Sequence, residues 1–483
     1  METHSLLSIT SNMWQYILRT RYSAFVLMNQ DLLAMPYKKR QRTLAIQVLW
    51  QPASRIRRSE PSLARSADQD MSGGDLFGAL QDDLVQHVLS FLPSRDAVKT
   101  AVLARRWRYL WRSTPAVRVN GSGDGFRLFV NSLLLYRDGA SPLRSFEIDA
   151  DLLIGEESDG EYRAYDPREV DPHVDLWIRH ALSTCRARSL IARFEDAEIM
   201  WSPRQKLPFA SPHLTTMRLQ GVELDHGRLD FSCCPALLHL SLSACRLDGY
   251  AIVSPSLERL HIMDCASESP IRISTPSLRH LQLSGDHDGI CTAPSSLDTM
   301  PCLTNASIQL TGFVEGGDGD ANAGRSLILR GLSEATSLEL IATRSDGRTI
   351  FLRDLAWCPT FPKLKTLILN EWCVYDDVTA IECLLRHTPR LESLILQLHF
   401  KNHPTLQVEG EGTDNTSEQS ILNFEHLKTV EITNHPPYYY ERVVYFDTRI
   451  DEVFKLFSDL GIPTSKISIN YKKPEGKKKK FKC

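Results

Sequence analysis

A short apolar pattern, L-x-x-L-x-L, returns along most of this chain of 483 residues and limits how it can fold. Four regularly spaced copies begin at Leu214, Leu237, Leu257 and Leu278. Less regular copies begin at Leu303, Ala335, Leu364, Leu391 and Leu427, and a weak early copy begins at Ala187. The last two apolar residues of each copy lie two positions apart, so they share one face of a short strand. No single copy can bury that face alone, so the copies must stack against one another.

The spacing of the copies indicates the fold. The four regular copies follow one another at the period of about 20–29 residues that is typical of leucine-rich repeats. A proline two residues before the first leucine suits the start of a strand and would break a continuous helix. Such prolines are Pro212, Pro235, Pro255, Pro276, Pro362 and Pro389. We therefore predict an α/β fold in which residues 115–423 form a horseshoe-shaped solenoid, with polar loops inserted at Gly312–Gly324 and Asn402–Ser420.

Residues 75–113 have a different pattern, which predicts three short helices. The first runs from Asp82 to Phe91 and is followed by Pro93, which cannot continue a helix. Ser94 is predicted to be the N-cap of the second helix. The third carries the apolar positions from Val102 to Trp111. So small a unit cannot hide all of its large apolar side chains, so some of them should meet a partner. The alternative, a small helical cap that packs only against its own chain, stays open on spacing alone.

This stretch resembles the F-box, the motif that binds the Skp-type adaptor of cullin-based ubiquitin ligases. The matching runs are Leu80 with Asp82-Asp83-Leu84, Val88 to Pro93, Asp96-Ala97-Val98 and Leu103 to Trp111. The resemblance implies adaptor contacts at Leu80, Leu84, Val88, Leu92, Val98, Trp107, Leu110 and Trp111. F-boxes usually open with Leu-Pro, whereas Gln81 follows Leu80 here. Because proline is preorganised for the first turn of a helix, we expect the glutamine to weaken adaptor binding at most.

Composition narrows the remaining classes of function. The net charge is −3, and no apolar run is long enough to span a membrane. The eleven cysteines are odd in number and form no C-x-x-C pair, which favours reduced, buried thiols over disulfides or a zinc site. The chain has no H-E-x-x-H or G-x-S-x-G motif, and Gly312–Gly324 lacks the Lys-Ser/Thr of a phosphate-binding loop. We predict no catalytic centre, no cofactor and no metal.

The two ends of the chain differ from its middle. Residues 1–70 are predicted to be a disordered or partly helical extension with scattered arginines. Residues 424–471 resemble the FBD-type C-terminal region that accompanies plant F-box/leucine-rich-repeat proteins, with a helix over Arg449–Leu460 that stops at Gly461. Residues 472–483 form a basic tail, which is typical both of nuclear localisation signals and of solvated chain ends.

The resemblance implies a substrate-receptor subunit of a Skp–cullin–F-box ubiquitin-protein ligase of plant type, located in the nucleus, the cytoplasm or both. In such a protein the repeats hold a target at solvent-facing strand positions, here Arg218, Ser241, His261, Gln282 and Ile368. Those residues indicate no target, and they do not say whether a small molecule joins receptor and target. The alternative is a non-ligase leucine-rich-repeat scaffold whose F-box is impaired at Gln81. Nucleic-acid binding through the tail ranks last, because aromatic residues do not alternate with its lysines and Phe481 alone lies among them.

Overall fold

The computed structural model describes residues 80–150, 172–194, 200–203, 209–224, 229–247, 251–267, 271–285, 296–310, 328–342, 345–398, 424–434 and 450–471. These residues belong to two compact units, one ending at Leu143 and the other beginning at Arg144. The predicted extension 1–70, the loops Gly312–Gly324 and Asn402–Ser420, and the tail 472–483 lie outside the described residues. None of the helices in the described ranges is long and apolar enough to cross a membrane.

The described part of the first unit, residues 80–143, consists of short helices and one strand. Its elements are α1 Asp82–Leu89, α2 Ser94–Lys99, three 3₁₀ turns at Thr100–Val102, Arg105–Arg108 and Leu110–Ser113, β1 Ala116–Gly121, and α3 Gly123–Tyr136. Its interior holds Trp107, Trp111, Val117, Val130 and Leu133, each less than a tenth exposed.

Two predictions about these helices are wrong. Ser94 does not cap α2, because Pro93 is the N-cap and the Ser94 hydroxyl accepts the backbone N–H of Arg118 at 2.9 Å. The predicted third helix is broken into three turns, because two residues leave helical geometry. Ala104 is extended with φ −148° and ψ 150°, and Tyr109 has φ −120° and ψ −5°. Alanine is the best helix former, so local propensity favours continuing the helix. Packing within the unit overrides that weak preference and aims both tryptophans inward.

The second unit contains most of the strands. They are β2 Ser145–Ala150, β3 Ser189–Phe194, β4 Thr216–Gln220, β5 Glu223–Leu224, β6 His239–Ser243, β7 Arg246–Leu247, β8 Ala251–Val253, β9 Arg259–Met263, β10 Arg272–Ser274, β11 His280–Ser284, β12 Ser296–Leu297, β13 Asn305–Leu310, β14 Ser337–Ala342, β15 Thr366–Asn370, β16 Ser393–Leu398, β17 Thr429–Asn434 and β18 Ile467–Tyr471. Every copy of the L-x-x-L-x-L pattern, from the weak one at Ala187 to that at Leu427, supplies one strand of a single large parallel sheet.

The strands of this sheet lie side by side in chain order, β2-β3-β4-β6-β9-β11-β13-β14-β15-β16-β17-β18. The register places equivalent leucines next to one another, for example Leu219 beside Leu242, which lies beside Ile262. These side chains are 7% exposed or less, and the residues between them face the other way. The prediction that the repeat leucines form the core is confirmed.

The segments that connect the strands of the large sheet differ with the sequence spacing of the copies. The closely spaced copies from Leu214 to Leu303 are joined by short segments that form small parallel sheets, β5-β7 and β12-β10-β8. Wider spacing leaves room for helices. Those of the second unit are α4 Pro172–Arg179, which continues as a π-helical turn at His180–Thr184, α5 Ile328–Gly331, α6 Ser345–Leu355, α7 Thr379–Arg386 and α8 Ile450–Asp459, with 3₁₀ turns at Glu371–Val374 and Thr464–Lys466.

Helix α8 ends where the sequence predicts. Gly461 has φ +72°, a left-handed conformation that glycine adopts without a Cβ penalty. Its N–H donates to Ser458 O, and the next N–H, of Ile462, donates to Phe457 O, which completes a Schellman cap.

One turn recurs at the ends of three neighbouring strands. Gly221, Ala244 and Asp264 follow β4, β6 and β9 and have φ values of +67°, +47° and +52°. Each donates its N–H to the last residue of the next strand, so the left-handed turn adds one more hydrogen bond between copies. Only Gly221 adopts this conformation freely. The three copies therefore keep the same left-handed turn, although two of them have Ala244 or Asp264 in place of a glycine.

Candidate functional site

Helix α1 has two apolar faces. Val85 and Leu89, one turn apart, are 2% and 1% exposed and face the interior of the first unit. Leu84 is 51% exposed, Phe91 just after the helix is 47% exposed, and Val88 is half-buried. Leu84, Val88 and Phe91, which we call the α1 stripe, follow helical spacing. The first unit thus presents an apolar strip to its surroundings.

The other predicted adaptor contacts lie elsewhere. Leu80 is half-buried, and five residues are 8% exposed or less, namely Leu92, Val98, Trp107, Leu110 and Trp111. The Trp111 indole N–H donates to Arg108 O at 3.1 Å within the unit. In the free chain these five side chains therefore support the shape of the surface, and Leu84 and Val88 are its accessible apolar members.

Sequence reasoning missed further accessible apolar residues in this unit. Phe91 was assigned to the helix but not to a contact surface, and Val102 and Tyr109 are 73% and 57% exposed. The break at Ala104 decides where Val102 and Tyr109 point, because it changes the helical phase that sequence spacing assumes. No local signal for this break was available.

The Arg106 side chain links the 3₁₀ turn Arg105–Arg108 to the residues at the start of α1. Its Nε lies 2.8 Å from Oδ1 of Asp82, a second guanidinium nitrogen lies 2.7 Å from the same oxygen, and the guanidinium also donates to the carbonyl of Leu80. The 3₁₀ turn that carries Arg106 is thereby tied to the start of α1. Asp82, at the first position of α1, is the acceptor that holds this contact.

Gln81 already has a backbone that proline could adopt. It is the N-cap of α1 with φ −66° and ψ 152°, and proline locks φ near that value. Its carbonyl accepts the N–H groups of Leu84 and Val85 at 3.1 Å, whereas its own N–H donates to no described residue. The departure from Leu-Pro therefore removes preorganisation and no hydrogen bond.

The second candidate surface is the exposed face of the large sheet. Arg218, Ser241, His261 and Gln282 are register neighbours on β4, β6, β9 and β11, and Ile368 lies further along the same row on β15. Each is at least partly exposed. The sequence-based placement of these residues on one solvent-facing row is confirmed, although their role in binding stays a prediction.

A second row of this face was missed. His239, Arg259 and His280 are register neighbours on β6, β9 and β11 and lie two residues before Ser241, His261 and Gln282. A cavity of about 460 Å³ extends over the strands from β3 to β9, and another of about 390 Å³ extends from β9 to β15. Arg259 and His261 line both. The period-2 alternation could have revealed this row, since His239 and Arg259 immediately precede the second apolar residue of their copies.

The three histidines share an electrostatic environment. Burial is the largest cause that lowers the pKa of His239, His261 and His280 below its ordinary value, and the Arg259 guanidinium is the next cause for each. Arg218 further lowers the pKa of His239 and His261. Neighbouring histidines also lower the pKa of these two residues, and Arg279 lowers that of His280. Glu258 acts in the opposite direction on His239 and His280.

The second unit also brings together one group of soft potential ligands. The side chains of Cys358, Cys383 and His387 have ligand atoms within 4.8 Å of one another. His387 Nδ1 lies 2.7 Å from Cys383 O, and burial raises the pKa of the Cys358 thiol to about 12. Structural zinc sites use four protein ligands, and no fourth His, Cys, Asp or Glu joins the group in the described part of the chain. That the protein holds no metal stays a prediction.

Comparison with known proteins identifies the first unit. The model of the F-box domain matches residues 78–116, which include α1, α2 and all three 3₁₀ turns. The meiotic F-box protein MOF of Oryza sativa subsp. japonica is 28% identical over 362 residues, which cover 67% of this chain and 71% of that protein. An F-box/LRR-repeat protein of Arabidopsis thaliana is 25% identical over 382 residues, 71% of this chain and 75% of the relative.

The similarity also includes proteins named for the C-terminal region. An FBD-associated F-box protein of Arabidopsis thaliana is 25% identical over 362 residues, which cover 67% of this chain and 75% of that protein. The chain therefore carries an F-box domain, and its homologues are plant proteins named F-box/LRR-repeat and FBD-associated F-box proteins.

Proposed function

We propose that this chain is the substrate-receptor subunit of a Skp–cullin–F-box ubiquitin-protein ligase. F-box domains generally bind Skp-type adaptors, and F-box proteins are generally substrate receptors rather than catalysts. The observation that carries the proposal is the exposed α1 stripe, which lies on the domain that matches the F-box.

The residues of the F-box divide into two roles under this proposal. Leu84, Val88 and Phe91 contact the adaptor directly, since exposed apolar side chains gain most from burial in a complex. Trp107 and Trp111 hold the turns that shape the surface. The adaptor links the chain to cullin, and ubiquitin is transferred by a partner enzyme. This chain contributes proximity and orientation to that transfer.

The repeat unit holds the target protein. The parallel order of the strands supports a solenoid, because each copy pairs only with its neighbours in the sheet. The target contacts are proposed for the exposed row that contains Arg218, Ser241, His261 and Gln282. We expect the complex in the nucleus, the cytoplasm or both.

A pull-down with a purified Skp-type adaptor tests the proposal. Leu84→Glu with Phe91→Glu should abolish binding, because both carboxylates would have to be desolvated in the interface. Leu135→Glu with Leu128→Glu is the matched control, since these two leucines of α3 are 77% and 50% exposed outside the stripe. Binding that survives the α1 pair, with the fold intact by circular dichroism, contradicts the proposal.

The rival function is a non-ligase scaffold whose F-box is impaired at Gln81. The proline-like backbone of Gln81 argues against it, because the glutamine costs only preorganisation. If the wild-type chain does not bind the adaptor and Gln81→Pro does, the rival is correct.

A further inference from the structure

The exposed sheet face carries a concentration of positive groups, which we call the basic groove. It consists of Arg218 on β4, His239 on β6, Arg259 and His261 on β9, and His280 on β11. These residues occupy two adjacent rows on four neighbouring strands, which lie about 4.8 Å apart. All except His280 line the larger cavity, and His280 lines the smaller one.

The two arginines of the basic groove have no carboxylate partner within the described chain. Neither Arg218 nor Arg259 forms an ion pair with any described residue. Glu258, which precedes β9, has a partner in Arg279, with 3.7 Å between its Oε1 and Nε of the arginine. The two guanidinium groups are therefore available to an anion from outside the chain.

Carboxylates limit the groove on both sides. Glu147 on β2, in register with Ile191 and through it with Arg218, lies beyond β3. Glu339 on β14 lies beyond β13 and accepts a hydrogen bond from the Ser307 hydroxyl at 2.7 Å. Across the described strands from β4 to β11, by contrast, the outward-facing charged groups of the two rows are cationic or histidine. The positive region is thus bounded along the sheet, which limits the length of a complementary anion.

The shape of the groove favours a chain segment over a free ion. Ser241 lies between Arg218 and His261 in its row, and its small side chain leaves space between the larger neighbours. The two cavities share Arg259 and His261 and extend from β3 to β15. The four strands from β4 to β11, at a spacing of about 4.8 Å, cover roughly 14 Å, which about four extended residues would span. A single small anion would fill only a fraction of either cavity.

We propose that the basic groove binds a contiguous acidic segment, rich in Asp and Glu, of the target protein. The carboxylates of the segment accept hydrogen bonds from Arg218 and Arg259, the strongest class of such bonds when both partners are charged. His239, which lies beside Arg259 in its row, adds a positive charge to the groove when it is protonated. The inference rests on the proposed function only in naming the ligand as a target for ubiquitination.

The histidines make this binding dependent on pH. Burial, followed by the positive charge of Arg259, keeps the pKa of the three histidines low in the free chain. Arg218 lowers the pKa of His239 and His261 further, Arg279 that of His280, and neighbouring histidines those of His239 and His261, whereas Glu258 raises the pKa of His239 and His280. Bound carboxylates favour the protonated imidazoles and raise those pKa values. Binding then takes up protons, so affinity should increase as the pH falls from about 8 to about 6.

Selection of random peptides of about twelve residues on the intact, purified chain tests the assignment. We expect a consensus with a run of Asp and Glu. The double variant with Arg218→Glu and Arg259→Glu should no longer select this consensus, or should select basic peptides instead. Arg330→Glu with Arg390→Glu introduces the same charge change at two exposed residues outside both cavities and should keep it. A consensus without acidic residues, or equal loss in the control, overturns the proposal.

A selected acidic peptide then measures the contribution of charge. Replacing its Asp and Glu by Asn and Gln, or using the groove variant, should weaken binding about tenfold or more, and added salt should weaken it further. If a phosphoserine version binds more than about tenfold tighter, or equimolar inorganic phosphate displaces the peptide, the groove is a phosphate site and the assignment is wrong.

The adaptor pull-down separates this inference from the proposed function. A chain that binds the adaptor yet selects no acidic peptide refutes the groove assignment alone. A chain that selects acidic peptides without binding the adaptor refutes the ligase role and keeps the groove.

Discussion

The guanidinium of Arg106 donates from Nε to Oδ1 of Asp82 at 2.8 Å, a contact that joins residues 24 positions apart in the F-box. Both side chains are substantially exposed, so the pair is screened by solvent. The geometry nevertheless involves two guanidinium nitrogens and the Leu80 carbonyl, which a lysine cannot reproduce.

We expect Arg106→Lys to lower the free energy of unfolding of the F-box unit by up to about 1 kcal/mol, with a smaller effect in high salt. Urea unfolding at two salt concentrations measures the loss of unfolding free energy and its dependence on salt. Arg105→Lys, which replaces a neighbouring guanidinium that takes no part in this contact, is the control. A loss of several kcal/mol, or no dependence on salt, contradicts this view of the pair.

Gln81→Pro should stabilise the chain by about 0.4–1 kcal/mol. The native φ of −66° suits proline, and the lost N–H has no partner among the described residues, so the change acts by restricting the unfolded chain. Thermal unfolding followed by circular dichroism measures the effect. Gln86→Pro, in the middle of α1, should instead destabilise the unit by about 3 kcal/mol or more.

Leu84→Ala and Trp107→Ala should separate binding from stability. Trp107 is 7% exposed, so its truncation should cost about 3–5 kcal/mol of folding free energy. Leu84 is 51% exposed, so its truncation should leave stability nearly unchanged and weaken adaptor binding. Denaturant unfolding and adaptor titration on the same samples distinguish the two. Equal loss of stability in both variants would mean that Leu84 is part of the core.

Gly221→Ala should destabilise the second unit, which contains the repeats, by about 2 kcal/mol or more. The left-handed φ of +67° is unfavourable for alanine, and a Cβ there would lie 2.2 Å from the Phe194 carbonyl oxygen. Gly461→Ala is the control, because its φ is +72° but nothing lies within 4 Å of an added Cβ. Chemical denaturation should show the larger loss at Gly221, and equal losses would exclude the carbonyl clash as the cause.

The stability of the repeat unit should depend on the protonation of Asp354. Burial raises the pKa of this carboxyl to about 6, although it accepts the N–H groups of Ile328 and Leu329 at 2.8 and 3.2 Å. Because the folded pKa exceeds the ordinary 3.8, the native state binds a proton more readily than the unfolded state. Through this group, stability therefore increases as the pH falls from about 7 toward 4.

Asp354→Asn removes this titration and leaves an amide oxygen to accept the two N–H groups. The stability of the wild type relative to Asp354→Asn should therefore rise between pH 7 and pH 5, as measured by urea unfolding at each pH. A difference that does not change with pH would show that Asp354 has an ordinary pKa in the folded chain.

The sequence by itself determined where the repeat strands lie and which side chains they bury. The spacing of Leu219, Leu242 and Ile262 is local information, because a strand exposes alternate residues to opposite faces whatever its neighbours are. For the same reason it placed Arg218, Ser241 and His261 on the outer face. The F-box was recognised from a long run of matching residues, and Gly461 from its position after a helix.

Only the tertiary structure decided which F-box residues are accessible. The extended backbone of Ala104 and the contact of Arg106 with Asp82 depend on segments far apart in the chain, and helix propensity does not encode them. Tertiary structure likewise joined His239, Arg259 and His280 into one groove. Strand register sets neighbours across the sheet, and a residue's charge environment comes from those neighbours rather than from its own copy.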